Sequence, residues 1–236
     1  MAAAKGTKEL VSLLEKFGTC EIADALVKLK NRSGGHLPGI FAHAPRPDKA
    51  GPSTGICGPA FTVEMVSQAD VDAPKPDKHF VDATEGHEGC VMVISAPPET
   101  RSAIWGGLMT LRAQALGVKG VVLDGRCRDL EEQWDSGFSI FARSHSTLGQ
   151  SPFTRPSRFQ VPLSIADPTA PSFPSTTIAP DDLVRADVDG VVVCPRADVL
   201  AVVEAATKAR EVDERCKEDL LQGKGVKETF AKWRGK

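Results

Sequence analysis

The run Trp105-Gly106-Gly107-Leu108-Met109-Thr110-Leu111-Arg112, followed by Gly120-Val121-Val122-Leu123-Asp124-Gly125-Arg126-Cys127-Arg128-Asp129, decides how this chain folds. A glycine pair opens a helix, a short apolar stretch follows as a buried strand, and Arg128-Asp129 stands at that strand's carboxyl end. The N-terminus of a helix leaves backbone N–H groups unpaired and carries partial positive charge. Gly106 and Gly107 remove the side chains that would block a ligand there, so the backbone from Gly106 to Met109 is a candidate carboxylate cradle. In open α/β sheets ligands collect beyond the carboxyl ends of strands. Arg128 offers a planar fork for a carboxylate or an enolate oxygen, and Asp129 a hard oxygen for Mg²⁺ or Mn²⁺. Each feature also has a plain structural reading. Glycine pairs permit close helix–sheet packing, and Arg128-Asp129 with Arg126, Glu131 and Glu132 forms a surface charge cluster. Their shared position at one sheet edge favours a site for a small keto acid.

Working outward, the pattern around this run is cyclic. Val91–Ile94 and Val121–Leu123 are short buried strands. Residues 102–116 have helical periodicity up to Gly117, Leu130–Trp134 is a short helix, and Ile140–Ala142 is a further strand. This alternation predicts a partly parallel sheet with covering helices. Upstream, Thr7 and Thr19 are expected to cap two amphipathic helices. Residues 31–54 read as loop, Ile56–Val66 as a strand, and 67–89 as a loop with a short helix. Downstream, residues 143–176 read as a long Ser/Thr/Pro loop holding one apolar run, Val161–Ile165. Asp189-Gly190 joins a hairpin of 183–187 and 191–193. A highly charged helix runs from Ala197 to about Leu221 and ends at Gly223; a helix of this kind is expected to reach a neighbouring subunit.

The 236 residues suit one large domain or two small ones, and 41% hydrophobic with 25% charged residues is ordinary for a globular chain. A formal net charge of −2 gives no general pull toward nucleic acid or an anionic membrane. No apolar run approaches the roughly 20 residues of a membrane span, and Met1–Gly6 lacks a secretory apolar core, so a cytoplasmic protein is expected. The six cysteines form no C-x-x-C pair and are expected to be free thiols. The five histidines show no ligand-pair spacing. No P-loop, G-x-S-x-G elbow or G-x-G-x-x-G turn is present, which argues against nucleotide or adenosylmethionine chemistry.

On these motifs the chain resembles the 4-hydroxy-4-methyl-2-oxoglutarate aldolases, which share their fold with the regulators of ribonuclease activity A, the RraA-like family. The resemblance rests on Gly107, twenty intervening residues, and Arg128-Asp129. Gly18-Thr19-Cys20-Glu21-Ile22-Ala23-Asp24-Ala25-Leu26, Gly58-Pro59-Ala60-Phe61-Thr62-Val63 and residues 180–195 add to it, so it spans about Thr19 to Gly223. It implies a single domain over 1–236: a layered α/β/β/α sandwich of swivelling-domain type with a central mixed sheet. The extension at 197–236 would lie at the interface of a homotrimer or dimer of trimers. It implies a divalent metal, Mg²⁺ or Mn²⁺, on Asp129, and a pyruvyl group held by Gly106, Gly107, Leu108, Met109 and Arg128. It further implies an acid reaching the neighbour's site from the C-terminal helix, for which Asp213 and Glu214 are the candidates. The implied activity is cleavage to pyruvate, with oxaloacetate decarboxylation alongside; a non-catalytic, protein-binding regulator is the alternative. Catalytically characterised members often carry Asp or Glu where this chain has Gly107, and its 143–180 segment is longer than in compact relatives.

Overall fold

A computed structural model describes residues 5–46 and 55–235. Residues 1–4 and the 47–54 part of the expected loop lie outside the described residues. In chain order the elements are α1 (Thr7–Leu14), α2 (Thr19–Lys28), β1 (Phe41–Ala44), β2 (Ile56–Ser67), β3 (Val91–Ser95), β4 (Ala103–Trp105), α3 (Gly107–Ala115), β5 (Gly120–Cys127) and α4 (Leu130–Ser136). Then come β6 (Ser139–His145), β7 (Thr154–Phe159), β8 (Leu163–Ile165), β9 (Thr176–Ile178), β10 (Leu183–Asp187), β11 (Gly190–Cys194), α5 (Val199–Leu221) and α6 (Val226–Arg234).

The main sheet runs β1-β6-β5-β3-β2-β10-β11, with β4 added to β5 and β7 to β2. The centre is parallel: β2, β3, β5 and β6 share one direction, and β4 runs with β5. The flanks are antiparallel, β1 on β6 and the β10–β11 hairpin on β2.

Strand side chains alternate between faces, and here the alternation assigns the layers. In β3, Met92 and Ile94 face one core while Val91 and Val93 face another. In β5, Val121 and Leu123 face the first and Val122 the second. The first core is covered by α3 and α4. The second is shared with Val184, Ala186, Val191 and Val193 of the hairpin, so the sheet curls over itself. The hairpin's other face, Leu183, Val192 and Cys194, packs on α1, α2 and α5. The result is the expected α/β/β/α layering with a mixed central sheet. Strands buried on both faces explain why β3 is apolar at four successive positions rather than alternating.

Several local expectations are corrected. Residues 102–116 are not one helix: Ala103–Trp105 is a strand, buried at every position, and the helix starts only at Gly107. Two strand-favouring residues, Ile104 and Trp105, in a segment paired with β5 outweigh the helical periodicity. Thr7 and Thr19 are first helical residues, not caps. Gly18 precedes α2, its N–H donates to Glu21 Oε2 at 2.8 Å, and Asp187 accepts from Thr19 N at 2.9 Å and Thr19 Oγ1 at 2.7 Å. The 31–54 loop contains β1, and the 143–176 loop contains β7, β8 and the start of β9. Arg143 and Arg155 fasten this segment. Arg155, nearly buried, donates to the carbonyls of Asp70, Ala73 and Pro74 at 2.5, 2.8 and 2.7 Å.

The charged helix α5 begins at Val199 and packs its first half on its own chain through Val199, Val202 and Ala206; Arg210 pairs with Glu21 at 2.7 Å and stacks on Phe17. Past Gly223 the chain forms α6, which the sequence reading left out. It folds back on α5, where buried Asp219 accepts from Lys224, Lys232 and Trp233 at 2.6, 3.1 and 2.9 Å. The six cysteines are free as expected. Burial pushes the thiols of Cys57 and Cys127 up to about 11 and those of Cys90 and Cys194 to about 12, which keeps them unreactive. No helix among the described residues is long and apolar enough to cross a membrane.

Candidate functional site

Two adjacent connections build the site. One leads from β4 into α3, the other from β5 into α4, and β4 lies beside β5. Arg128 N–H donates to Trp105 O at 3.0 Å, which ties the two turns together. Below them runs a buried polar relay. Trp105 Nε1 donates to Thr110 Oγ1 at 2.8 Å, and Thr110 Oγ1 donates to Gln133 Oε1 at 2.6 Å; Gln133 Nε2 lies 3.4 Å from Arg128 O. Trp105 and Gln133 are fully buried, and Trp105 stacks on Phe138 with planes 5° apart. A satisfied buried network of this kind fixes both turns rigidly.

On this platform Asp129 adopts the left-handed conformation, φ 59° and ψ 46°, an uncommon one for a residue with a Cβ. That geometry swings its carboxylate onto the start of α3, where Oδ2 accepts from Gly107 N at 3.0 Å and lies 3.4 Å from Arg128 Nε. Met109 N–H is taken by Gly106 O. Of the four expected backbone donors, Gly107 and Met109 therefore bond within the protein, and Leu108 N–H is the first-turn amide left for a ligand.

The glycines are needed for space rather than for unusual dihedrals. A Cβ at Gly106 would stand 2.6 Å from Asp129 Oδ2 and 3.1 Å from Arg128 Nε. A Cβ at Gly107 would collide with the carboxylate of Glu132, which occupies that volume. Glu132, in the first turn of α4, is a site residue the sequence reading passed over as surface charge. The available signal was its place three residues after Asp129, one helical turn along.

A cavity of about 190 Å³ opens at this point. Gly107, Leu108, Arg128 and Asp129 line it, together with His79 and Gln150 from two separate loops. Arg128 and Asp129 are roughly two-fifths exposed, and among the described residues no carbonyl accepts from the Arg128 guanidinium. Asp129 and Glu132 are two hard carboxylates one turn apart. Among the described residues no group of three His, Cys, Asp or Glu side chains could hold a metal ion; Asp129 lines the cavity, and Glu132 stands in front of Gly107. Asp213 and Glu214 lie on α5 and do not join this cavity within the chain. Asp213 pairs with Arg234 at 2.6 Å, and Glu214 has only a distant Lys217 at 3.9 Å.

The four-layer α/β/β/α fold thus brings an arginine, a carboxylate and a helix start together at one sheet edge, the place where ligands of open α/β sheets collect. The comparisons narrow this. The family model RraA-like (Aldolase/RraA) matches residues 19–193, and the chain belongs to that family. A protein of Halalkalibacterium halodurans, provisionally named a 4-hydroxy-4-methyl-2-oxoglutarate aldolase, is 31% identical over 159 residues, 67% of this chain and 69% of that one. A crystal structure of an uncharacterised protein from Pseudomonas syringae superposes with a TM-score of 0.75 at 27% identity, covering 96% of this chain and 98% of that one. Streptomyces coelicolor RraAS2, described as an unusual member of the RNase ES inhibitor RraA family, shares the fold at a TM-score of 0.69 and 24% identity over 89% of this chain and 97% of its own. The family thus includes both aldolases and ribonuclease regulators.

Proposed function

We propose that this protein is a divalent-metal-dependent lyase that cleaves 4-hydroxy-4-methyl-2-oxoglutarate-type acids to pyruvate and decarboxylates oxaloacetate as a side reaction. The observation that carries this reading is the open guanidinium of Arg128 beside the Asp129 carboxylate, at a helix start with a free Leu108 amide and with the Glu132 carboxylate in front of Gly107. Mg²⁺ or Mn²⁺ held by Asp129 and Glu132 would act as a Lewis acid for negative charge on the 2-oxo oxygen. Leu108 N–H and the positive end of α3 hold the substrate carboxylate. Arg128 donates to the 2-oxo oxygen, more strongly as the C3–C4 bond breaks and its electrons pass through C2 to that oxygen. The C4 hydroxyl gives its proton to solvent water as it becomes a carbonyl, and the enolate takes a proton from water at C3 to give pyruvate. Loss of CO₂ from oxaloacetate delivers electrons to the same oxygen, so one set of donors serves both reactions. Among the described residues no lysine lines the cavity, and Lys119, inside the motif, donates to Cys57 O at 2.8 Å instead, which disfavours a Schiff base.

Glu132 bears on the absence of an acid at position 107: its carboxylate fills the volume in front of Gly107, so the acid reaches the site from α4 instead of α3. This supports an enzyme over a regulator with a vacant site. In a homotrimer or dimer of trimers with α5 at the interface, Glu214 is the freer residue for a neighbour's site, since Asp213 is already paired with Arg234. The test is pyruvate release from both substrates with and without EDTA. Metal-dependent release, lost in Arg128→Ala and Asp129→Ala, is expected. Metal-independent release, or full activity in either variant, would refute the mechanism.

A further inference from the structure

The reaction just proposed uses one side of the cavity and leaves two of its lining residues, His79 and Gln150, without a role. Both are set in place by bonds whose chemistry fixes which atoms remain free. Val81 N–H can only donate, and it lies 3.3 Å from His79 Nδ1, so in the neutral imidazole Nδ1 is the bare nitrogen and the proton resides on Nε2. His79 thus presents a donor. Gln150 is the mirror case. Thr154 O can only accept, and it takes the Gln150 amide NH₂ at 3.3 Å, which assigns the amide orientation and leaves Oε1 as an open acceptor.

Neither residue rides on a loose loop. The ring of His79 packs on that of Phe80 at 4.5 Å between centroids, and Phe80 is fully buried against Trp105. Just beyond, Asp82 pairs with Arg112 of α3 at 2.6 Å, and just before, Arg155 grips the 70–74 backbone. The turn carrying Gln150 is closed by Phe153 N–H and Thr154 N–H, both donating to Gln150 O.

We propose that His79 and Gln150 are specificity-determining residues that read the half of the substrate leaving as the carbonyl product. His79 donates from Nε2 to its carboxylate, and Gln150 accepts through Oε1 from its C4 hydroxyl. This rests on the aldolase reading for the identity of the substrate. It also makes His79 a donor to the substrate rather than the base that removes the hydroxyl proton, because its only unprotonated nitrogen is engaged by Val81.

The test compares kcat/KM for 4-hydroxy-4-methyl-2-oxoglutarate with that for 4-hydroxy-2-oxopentanoate, which lacks the second carboxylate, in the wild-type protein with Mg²⁺. His79→Ala is expected to lower the ratio of the two about 10-fold or more, the scale of one lost hydrogen bond to a charged group. His79→Gln, whose amide can still donate, is expected to recover most of it. An unchanged ratio in His79→Ala, or an equal loss on both substrates, would overturn the proposal. If the wild-type protein turns over neither substrate, the aldolase reading fails by itself. Calorimetric binding of 2-oxoglutarate against pyruvate with Mg²⁺ then decides the recognition role: a preference for the dicarboxylate that falls about 10-fold in His79→Ala sustains it, and no such fall overturns it.

Discussion

Two arginine–aspartate pairs flank the end of β5, on opposite faces of the sheet, and they differ in one respect that matters. Arg143 and Asp124 are about four-fifths buried, and all three guanidinium nitrogens of Arg143 are engaged: Nε pairs with Asp124, Nη1 donates to Pro38 O at 2.9 Å and Nη2 to Ala166 O at 2.8 Å. Ser95 Oγ completes Asp124 at 3.3 Å. Arg128 and Asp129 are more exposed, meet at 3.4 Å, and leave most guanidinium donors facing a cavity. The cavity beside Arg143 is the larger, about 300 Å³ against 190 Å³. Size therefore does not mark the site. A satisfied pair is a latch that holds the 36–40 and 163–168 segments to the sheet, while an unsatisfied one keeps its donors available for a ligand.

This contrast can be broken by mutation. Arg128→Ala is expected to lower kcat/KM for pyruvate release by about 10²–10³-fold, as for removal of an oxyanion donor, with little change in melting temperature. A fall in stability comparable to the loss of activity, measured by calorimetry beside the coupled assay, would mean that Arg128 is also a latch. Arg143→Ala should do the reverse. It strands a partly buried carboxylate and should cost about 2–3 kcal/mol, a drop in melting temperature on the order of 5–10 °C. Unaltered melting would show that the pair contributes nothing.

A finer comparison concerns which helix supplies the second acid. Glu132→Ala is expected to weaken Mg²⁺ binding about 10-fold in titration calorimetry, the lower end of what a supporting ligand contributes. Gly107→Asp in that background moves the carboxylate to α3 and should restore much of the affinity. Gly107→Asp alone should not, because the new side chain meets Glu132 in the same space. Restoration by the single substitution, or none in the double variant, would separate Glu132 from the metal.

The smallest expected effect lies far from the site, at the cluster where three donors close on Asp219. Lys224 and Trp233, with Lys232, hold this carboxyl below the usual carboxylate range. Its pKa is lowered on folding, so the docking of α6 is fully stabilised above the ordinary carboxylate pKa and is lost as pH falls toward the folded value. Trp233 fluorescence should accordingly shift to the red in acid well before global unfolding, and Asp219→Asn should shift it at neutral pH. Emission that moves only with global unfolding would contradict a separately docked α6.

The α/β class, the parallel strand order around residues 91–142 and the closing hairpin at 183–194 were legible in the sequence. They rest on burial periodicity and glycine turns, which are local and repeat over several residues. Gly107 and Arg128-Asp129 were legible for the same reason: glycine at a helix start and charge at a strand end have meaning before packing is known. That Arg143, within β6, is a fastened arginine while Arg128 is an open one was not legible, since only their three-dimensional partners tell them apart. Strand β4 was hidden because three residues are too few to show a period, and α6 because what holds it, the Asp219 cluster and Arg215 over Trp233, forms only against α5. The recruitment of Glu132 into the space before Gly107, and of His79 and Gln150 from loops roughly 30 and 20 residues outside the motif's two ends, depends on distances that only the folded chain sets. Side-chain satisfaction is a property of the folded neighbourhood. The sequence determined which groups this protein could use, and the tertiary structure decided which of them are left unpaired.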